Sequence, residues 1–162
     1  MTMFVKVRHV PFLRATSRSL ILTKVCIKIG DSSFEMVSKQ FSRILVAEDE
    51  PDMLRSFKLL LEDMGNEVVT TKDGQECLDA YCKSSKTTSG GFDLVLLDYK
   101  IPRKNGIEVA REIEAMAPSQ KLLMITAYAG IIDPAQKPQN MKIIAKPYDV
   151  DELIGMIRNL TQ

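Results

Sequence analysis

Four short apolar runs in this chain each end in a residue able to do chemistry. Ile44-Leu45-Val46-Ala47 runs into Glu48 and Asp49, Leu94-Val95-Leu96-Leu97 into Asp98, Leu122-Leu123-Met124-Ile125 into Thr126, and Met141-Lys142-Ile143-Ile144-Ala145 into Lys146. Runs of this length, rich in Val, Ile and Leu and bounded by turn residues, read as buried strands. If the strands are parallel, their carboxyl ends share one edge of a sheet, and ligands bind in the crevice there. Three carboxylates in one crevice raise one another's pKa unless a cation compensates. A hard divalent ion held by a few carboxylates and water fits, which suits magnesium better than a structural calcium. Were Asp98 to attack a phosphorus, the acyl phosphate would spread charge over three phosphoryl oxygens. Mg2+, the Lys146 ammonium and the Thr126 hydroxyl or a backbone N–H could each take one.

Taken singly, each residue has a plainer role. An Asp after a strand forms turns or caps helices, and Glu48-Asp49 suits the positive end of a following helix. Thr126 would satisfy nearby backbone, and Lys146-Pro147 would be solvated surface before a helix. Only their convergence at four strand ends points to a site.

The elements that must position them alternate strongly. After the Ile44 strand, Pro51 opens a helix with apolar residues Met53, Leu54, Phe57, Leu60, Leu61 and Met64, and Gly65 ends it. Glu67 to Thr71 is a second strand, and Asp73-Gly74 opens a helix carrying Cys77, Leu78, Tyr81 and Cys82. Lys83 to Gly91 reads as a surface loop. The strand from Phe92 leads to Asp98, and the turn residues Pro102 and Asn105-Gly106 precede a helix with Ile107, Val109, Ala110, Ile113 and Met116. After the fourth strand, Pro134 and Pro138 allow only a short helix, starting at Pro134 with Asp133 as its cap. Val150, Leu153, Ile154, Ile157 and Leu160 define a last amphipathic helix, capped by Asp149. Five strands alternating with helices imply a parallel sheet covered on both faces.

The 162 residues accommodate one ordinary domain with an appended arm. Lys and Arg number 22 against 21 acids, which gives no argument for direct nucleic-acid binding. Residues 1 to 41 differ from the rest, with seven Lys or Arg against two acids. Leu20 to Leu22 and Val25 to Ile29 are strand-like but have no obvious partner. Residues 1 to 41 are expected to be a basic, disordered extension or the product of an upstream start codon, with Met36 favoured as the true start. A transit-like leader is the third reading, though the apolar core and cleavage site of a secretory signal are missing. Residues 42 to 162 form the domain. Cys26, Cys77 and Cys82 show neither disulfide nor zinc spacing, so a cytoplasmic location is expected. Leu20 to Ile29, the longest apolar candidate, is broken by Lys24 and Lys28, so no membrane insertion is expected.

From Arg43 to Leu160 the chain resembles the receiver (CheY-like) domain of two-component response regulators. The resemblance rests on Ile44-Leu-Val-Ala-Glu48-Asp49-Glu50-Pro51, on Leu96-Leu-Asp98-Tyr-Lys-Ile-Pro102-Arg-Lys-Asn-Gly106, on Thr126-Ala127, and on Lys146-Pro147. It implies a flavodoxin-like fold with five parallel strands in the order 2-1-3-4-5. It implies that Asp98 accepts a phosphoryl group from a histidine kinase or phosphotransfer protein. Asp49, Asp98 and the backbone carbonyl of Lys100 would hold Mg2+ directly, with Glu48 acting through water. Lys146 would pair with the phosphoryl group, and Thr126 would swing to hydrogen-bond it.

Three departures stand out. Ile143 occupies a position where the family often has Tyr or Phe, the fourth helix region carries two prolines, and Lys100 and Tyr128 are bulky where the family tunes access of hydrolytic water. No output module follows Gln162, so a downstream effector protein is expected to read the signal. Two rival functions remain: a phosphorylation-independent docking module, favoured by Ile143 and the prolines, and an Mg2+-dependent phosphohydrolase, disfavoured by Lys100 where such enzymes carry a second acid. A flavodoxin is weaker still, since no phosphate-binding loop follows the first strand.

Overall fold

The computed structural model describes residues 24–28, 34–38, 41–85 and 91–161. The chain divides into two units, Met1–Phe41 and Ser42–Gln162. In the first, β1 (Lys24–Lys28) pairs antiparallel with β2 (Phe34–Ser38), Cys26 opposite Met36. The partner that the sequence did not offer Val25 to Lys28 therefore lies on the far side of Gly30-Asp31. Leu20 to Leu22 lie outside the described residues.

The second unit follows the order β3 (Arg43–Ala47), α1 (Pro51–Asp63), β4 (Glu67–Thr71), α2 (Gly74–Ser85), β5 (Leu94–Leu97), α3 (Gly106–Met116), β6 (Lys121–Thr126), β7 (Met141–Ala145) and α4 (Val150–Thr161). Its five strands are all parallel, in the spatial order β4-β3-β5-β6-β7, which is 2-1-3-4-5 when these strands alone are counted. Side-chain alternation sends the strands' residues to two cores. Leu45, Ala47, Val95, Leu97, Leu122 and Met124 pack with Cys77, Leu78 and Tyr81 of α2 and Ile107, Val109, Ala110 and Ile113 of α3. Ile44, Val46, Leu94, Leu96, Leu123, Ile125 and Ile144 pack with Phe57 and Leu61 of α1 and Leu153 and Ile157 of α4. Both faces of the sheet are thus covered, and the middle residues of the central strands are apolar on both faces.

Local chemistry sets the helix ends. Pro51 begins α1, and Gly65, at φ 88°, lets Gly65 N–H reach Glu62 O and Asn66 N–H reach Leu61 O, a Schellman stop. Asn105 and Glu108 form a reciprocal capping box on α3. Asp73 caps α2, its Oδ1 accepting from Glu76 N–H at 2.8 Å.

Two expectations need correction. α2 runs on through Ser85, past the Lys83 start expected for the loop, whose centre at 86–90 lies outside the described residues. Between β6 and β7 no α-helix forms among the described residues; a 3-10 turn at Ala129–Ile131 is followed by a single turn at 134–136. Asp133 does act as a cap, its Oδ1 accepting from Ala135 N–H at 2.9 Å while Gln136 N–H reaches Asp133 O. Pro138 then stops propagation, because it has no N–H for the Pro134 carbonyl and its ring would clash there. It also biases Lys137 away from helical geometry. The connection therefore carries no fifth helix.

The Asp73 cap gives a measurable pH dependence. Burial pushes its carboxyl up, but the Glu76 N–H, the hydrogen bond from Arg103 and the Arg103 charge outweigh that and hold it below the usual value of 3.8. A depressed folded-state pKa contributes stability above the unfolded value, and that contribution is lost as pH falls through the folded value. Asp73→Asn keeps a capping side chain but loses the charge that faces Arg103 and the helix start, and is expected to lower stability at pH 7 by about 0.5–1 kcal/mol, with the gap to the parent closing below about pH 4. Urea midpoints of both proteins between pH 7 and pH 3 measure it; a gap independent of pH would show that the charge contributes nothing.

Candidate functional site

The strand register brings the expected residues to one edge. Ala47 pairs with Thr71 on one side and Leu97 on the other, Leu97 pairs with Met124, and Thr126 with Ala145. Residues that follow these positions therefore emerge together. Glu48 continues the ladder by one bond, its N–H donating to Thr71 O at 3.1 Å, and Asp98 N–H donates to Ala47 O at 2.9 Å. Lys146 is tied to the neighbouring strand by its N–H to Thr126 O at 2.9 Å, and the Lys146–Pro147 peptide is cis.

Glu48, Asp49 and Asp98 each offer a carboxylate oxygen within 4.8 Å of the others. The three differ in setting. Glu48 is buried, accepting from Lys146 Nζ at 3.0 Å and from Glu50 N–H at 3.3 Å. Asp98 is mostly buried, its Oδ1 accepting from Tyr99 N–H at 2.7 Å and its Oδ2 lying 3.6 Å from Lys146 Nζ. Asp49 is exposed. Thr126 is fully buried, and its Oγ1 accepts from Tyr128 N–H at 3.1 Å. Five of the side chains singled out from sequence thus stand at one edge, four of them linked through oxygen–oxygen or oxygen–ammonium contacts.

Burial works unequally on the central pair. Glu48 is 3% exposed against 23% for Lys146. Burial pushes the Glu48 carboxyl up, and Asp98 adds to the rise, against the opposing pull of Lys146 and Glu50 N–H. On Lys146, burial pulls down, but the hydrogen bond to Glu48 and the charges of Glu48 and Asp98 outweigh it, so the ammonium is held above its usual range. Three acids facing one ammonium leave an excess of negative charge. Hard oxygen donors with an exposed, uncommitted member in Asp49 fit a magnesium-like cation.

Lys100 lies two residues beyond Asp98 and is exposed, its Nζ 5.9 Å from the Tyr128 ring centroid. Tyr99 was not singled out from the sequence. Its ring lies 5.8 Å from that of Tyr128, and the only sequence signal was its place beside Asp98. Gly106 was read as a turn residue, yet its requirement is spatial: a Cβ there would collide with the Asp98 carbonyl and come within 2.9 Å of Met124 Cε. The N–H of Gly106 donates to Tyr99 O at 2.9 Å, so the helix start and the acid share one tight loop.

This sheet order, with acids and a lysine at its carboxyl edge, defines a receiver-type α/β domain. The chain belongs to the response regulator receiver domain family, whose family model matches residues 44–158. It is 30% identical over 120 residues to the response regulator receiver protein CpdR of Brucella abortus, covering 73% of this chain and 95% of that protein. It is 34% identical over 122 residues to the response regulator ArlR of Staphylococcus aureus, covering 72% of this chain but only 51% of ArlR. Among solved structures, it is similar to the response regulator TrrA of Thermotoga maritima in complex with Mg2+–BeF, at 32% identity and TM-score 0.61, covering 74% of this chain and 99% of that one. TrrA has also been solved with the histidine kinase ThkA, with TM-score 0.64 over 75% of this chain. Among the described residues no helix is long and apolar enough to cross a membrane.

Gly106→Ala tests the tight loop. The added methyl must displace the Asp98 carbonyl, and overpacking of this kind costs about 1–3 kcal/mol. Urea unfolding at neutral pH should show that loss, and a variant as stable as the parent would mean that the loop yields freely.

Proposed function

We propose that this chain is a phosphoacceptor that takes a phosphoryl group on Asp98 from the phosphohistidine of a histidine kinase or phosphotransfer protein. The observation that carries the reading is the convergence of Asp98 with Lys146 and with the Glu48 and Asp49 carboxylates at one sheet edge. The Asp98 oxygen nearer Lys146 attacks phosphorus, a P–O bond forms, the P–N bond breaks, and the imidazole leaves with its electron pair. Lys146 lies where it can pair with the new phosphoryl oxygens. Thr126 Oγ1 accepts from backbone while its own proton stays free to donate to another. Asp49, Asp98 and the Lys100 carbonyl would hold Mg2+, with Glu48 acting through water; when bound, the ion supplies charge stabilisation to the transferring group. The Mg2+–BeF form of TrrA and its complex with a histidine kinase support extending cofactor and kinase to this relative. A downstream protein would read the result.

A second reading, a docking module indifferent to phosphorylation, draws on Ile143 at the usual aromatic position and on the missing helix between β6 and β7. Intact mass separates the two. Incubation with Mg2+ and acetyl phosphate is expected to add one phosphoryl group, absent in Asp98→Asn and with EDTA; no gain in the parent would favour the docking module.

The aromatic and aliphatic cover around Asp98 also bears on lifetime. Tyr99, Tyr128 and Lys100 lie against one another close in the chain to Asp98 and Thr126, and neither Lys100 nor Tyr128 can orient a hydrolytic water as an acid or amide would. Self-dephosphorylation is expected to be slow, and Lys100→Asn and Tyr128→Glu should each shorten the phosphoryl half-life severalfold. Half-lives equal to the parent's would sink this part of the reading.

A further inference from the structure

The loop that joins Asp98 to α3 is held at its middle as well as at its ends. Pro102 O accepts two N–H groups, from Lys104 at 2.8 Å within the loop and from Gly74 at 3.1 Å at the start of α2. The first of these closes a γ-turn with Arg103 at its centre, at φ 67°. Such a turn is rare and strained for a residue with a Cβ, and glycine would enter it without steric cost. Arg103 instead brings a guanidinium that donates to Asp73 Oδ2. Asp73 divides its oxygens, Oδ1 capping α2 and Oδ2 facing the loop. An Asn could cap the helix alone, so the second, charged oxygen serves the loop rather than the helix. The fit is close: a Cβ on Gly74 would collide with Lys104 O and come within 2.8 Å of Val109 Cγ2. Ile101, 7% exposed, anchors the same stretch in the core beneath α2 and α3.

We infer that Asp73 and Arg103 are positioning residues for the metal-holding part of this loop, which carries the Asp98 carboxylate and the Lys100 carbonyl. Neither touches the reacting atoms. Pro102 lies two residues beyond Lys100, so a shift of Pro102 carries the Lys100 carbonyl with it. A carbonyl is fixed in its peptide plane and has no rotamer with which to regain its place. Groups that stand behind metal ligands and fix their orientation govern affinity without touching the ion. The choice of ligands rests on the phosphoacceptor reading, whereas the clamp itself rests on the contacts between α2 and the loop.

Mg2+ titrations of the full chain followed by amide NMR test it, together with hydrogen exchange at the Gly74 and Lys104 amides of the metal-free protein. Asp73→Asn keeps the cap, and Arg103→Ala keeps the Cβ while removing the guanidinium. Each is expected to weaken Mg2+ binding about tenfold, the low end of what losing a group behind the ligands costs, and to speed exchange at both amides. Because the two act through one contact, the double variant should bind no more weakly than the worse single one. Arg103→Lys, which keeps a cation for Asp73, should recover part of the loss. Ile157→Val, a buried truncation on α4, lowers stability without touching the loop and should leave Mg2+ affinity unchanged. Affinity that falls with stability in every variant, Ile157→Val included, would overturn the assignment. So would parental affinity in Asp73→Asn and Arg103→Ala, or a parent that binds no Mg2+. A parent that binds Mg2+ through the clamp, weakened in both variants, yet gains no mass with acetyl phosphate supports the positioning role and removes the phosphoacceptor reading.

Discussion

One ammonium group holds the acidic edge of this domain together. Burying the Glu48 carboxylate without a partner would be prohibitive, and Lys146 supplies that partner while lying close enough to Asp98 to serve both acids. Breaking such a pair costs about 3–5 kcal/mol where both members are dry, and less here because Lys146 keeps contact with solvent. Replacing the set with apolar residues would be no worse for stability, since buried ion pairs seldom exceed a hydrophobic substitute. Stability alone therefore does not call for this charged edge, which fits the phosphoacceptor reading proposed above.

The geometry follows from strand register. In a parallel sheet each strand arrives at the same edge with the same polarity, so a residue placed just past the end of β3, β5 or β7 has no other destination. The two cores then lock the register, because a one-residue slip would turn Leu45, Val95 and Leu122 from the α2 and α3 face to the α1 and α4 face. Packing far from the edge thus determines ångström-scale distances at it.

What the residues disclosed, and what they withheld, divides along sequence separation. The strand over Glu67–Thr71, the stop at Gly65 and the meeting of Asp98 with Lys146 were readable because each rests on a local pattern or on the rule for parallel sheets. The length of α2 was underread because Ser and Lys at a helix end look like loop residues until the buried face of Ser84 is seen. The connection after β6 was misread because Pro134 is a good helix start and Pro138 a good stop, and only the structure shows that too little room is left between them. Tyr99 against Tyr128, Asp73 against Arg103 and β1 against β2 were out of reach, since each joins side chains or strands by a fold-specific adjacency that no spacing encodes.

The ion pair between Glu48 and Lys146 spans 98 positions of the chain. Glu48, Asp49 and Asp98 are all made before Lys146, so a growing chain carries its acids for more than forty residues' synthesis without their counter-charge. Without a bound cation, repulsion at that edge eases when β7 docks beside β6 and brings Lys146 to Glu48 and Asp98, so the last strand contributes electrostatically as well as by packing. The same charge arithmetic that suits the finished domain to a cation weighs against closing the edge before Lys146 is in place.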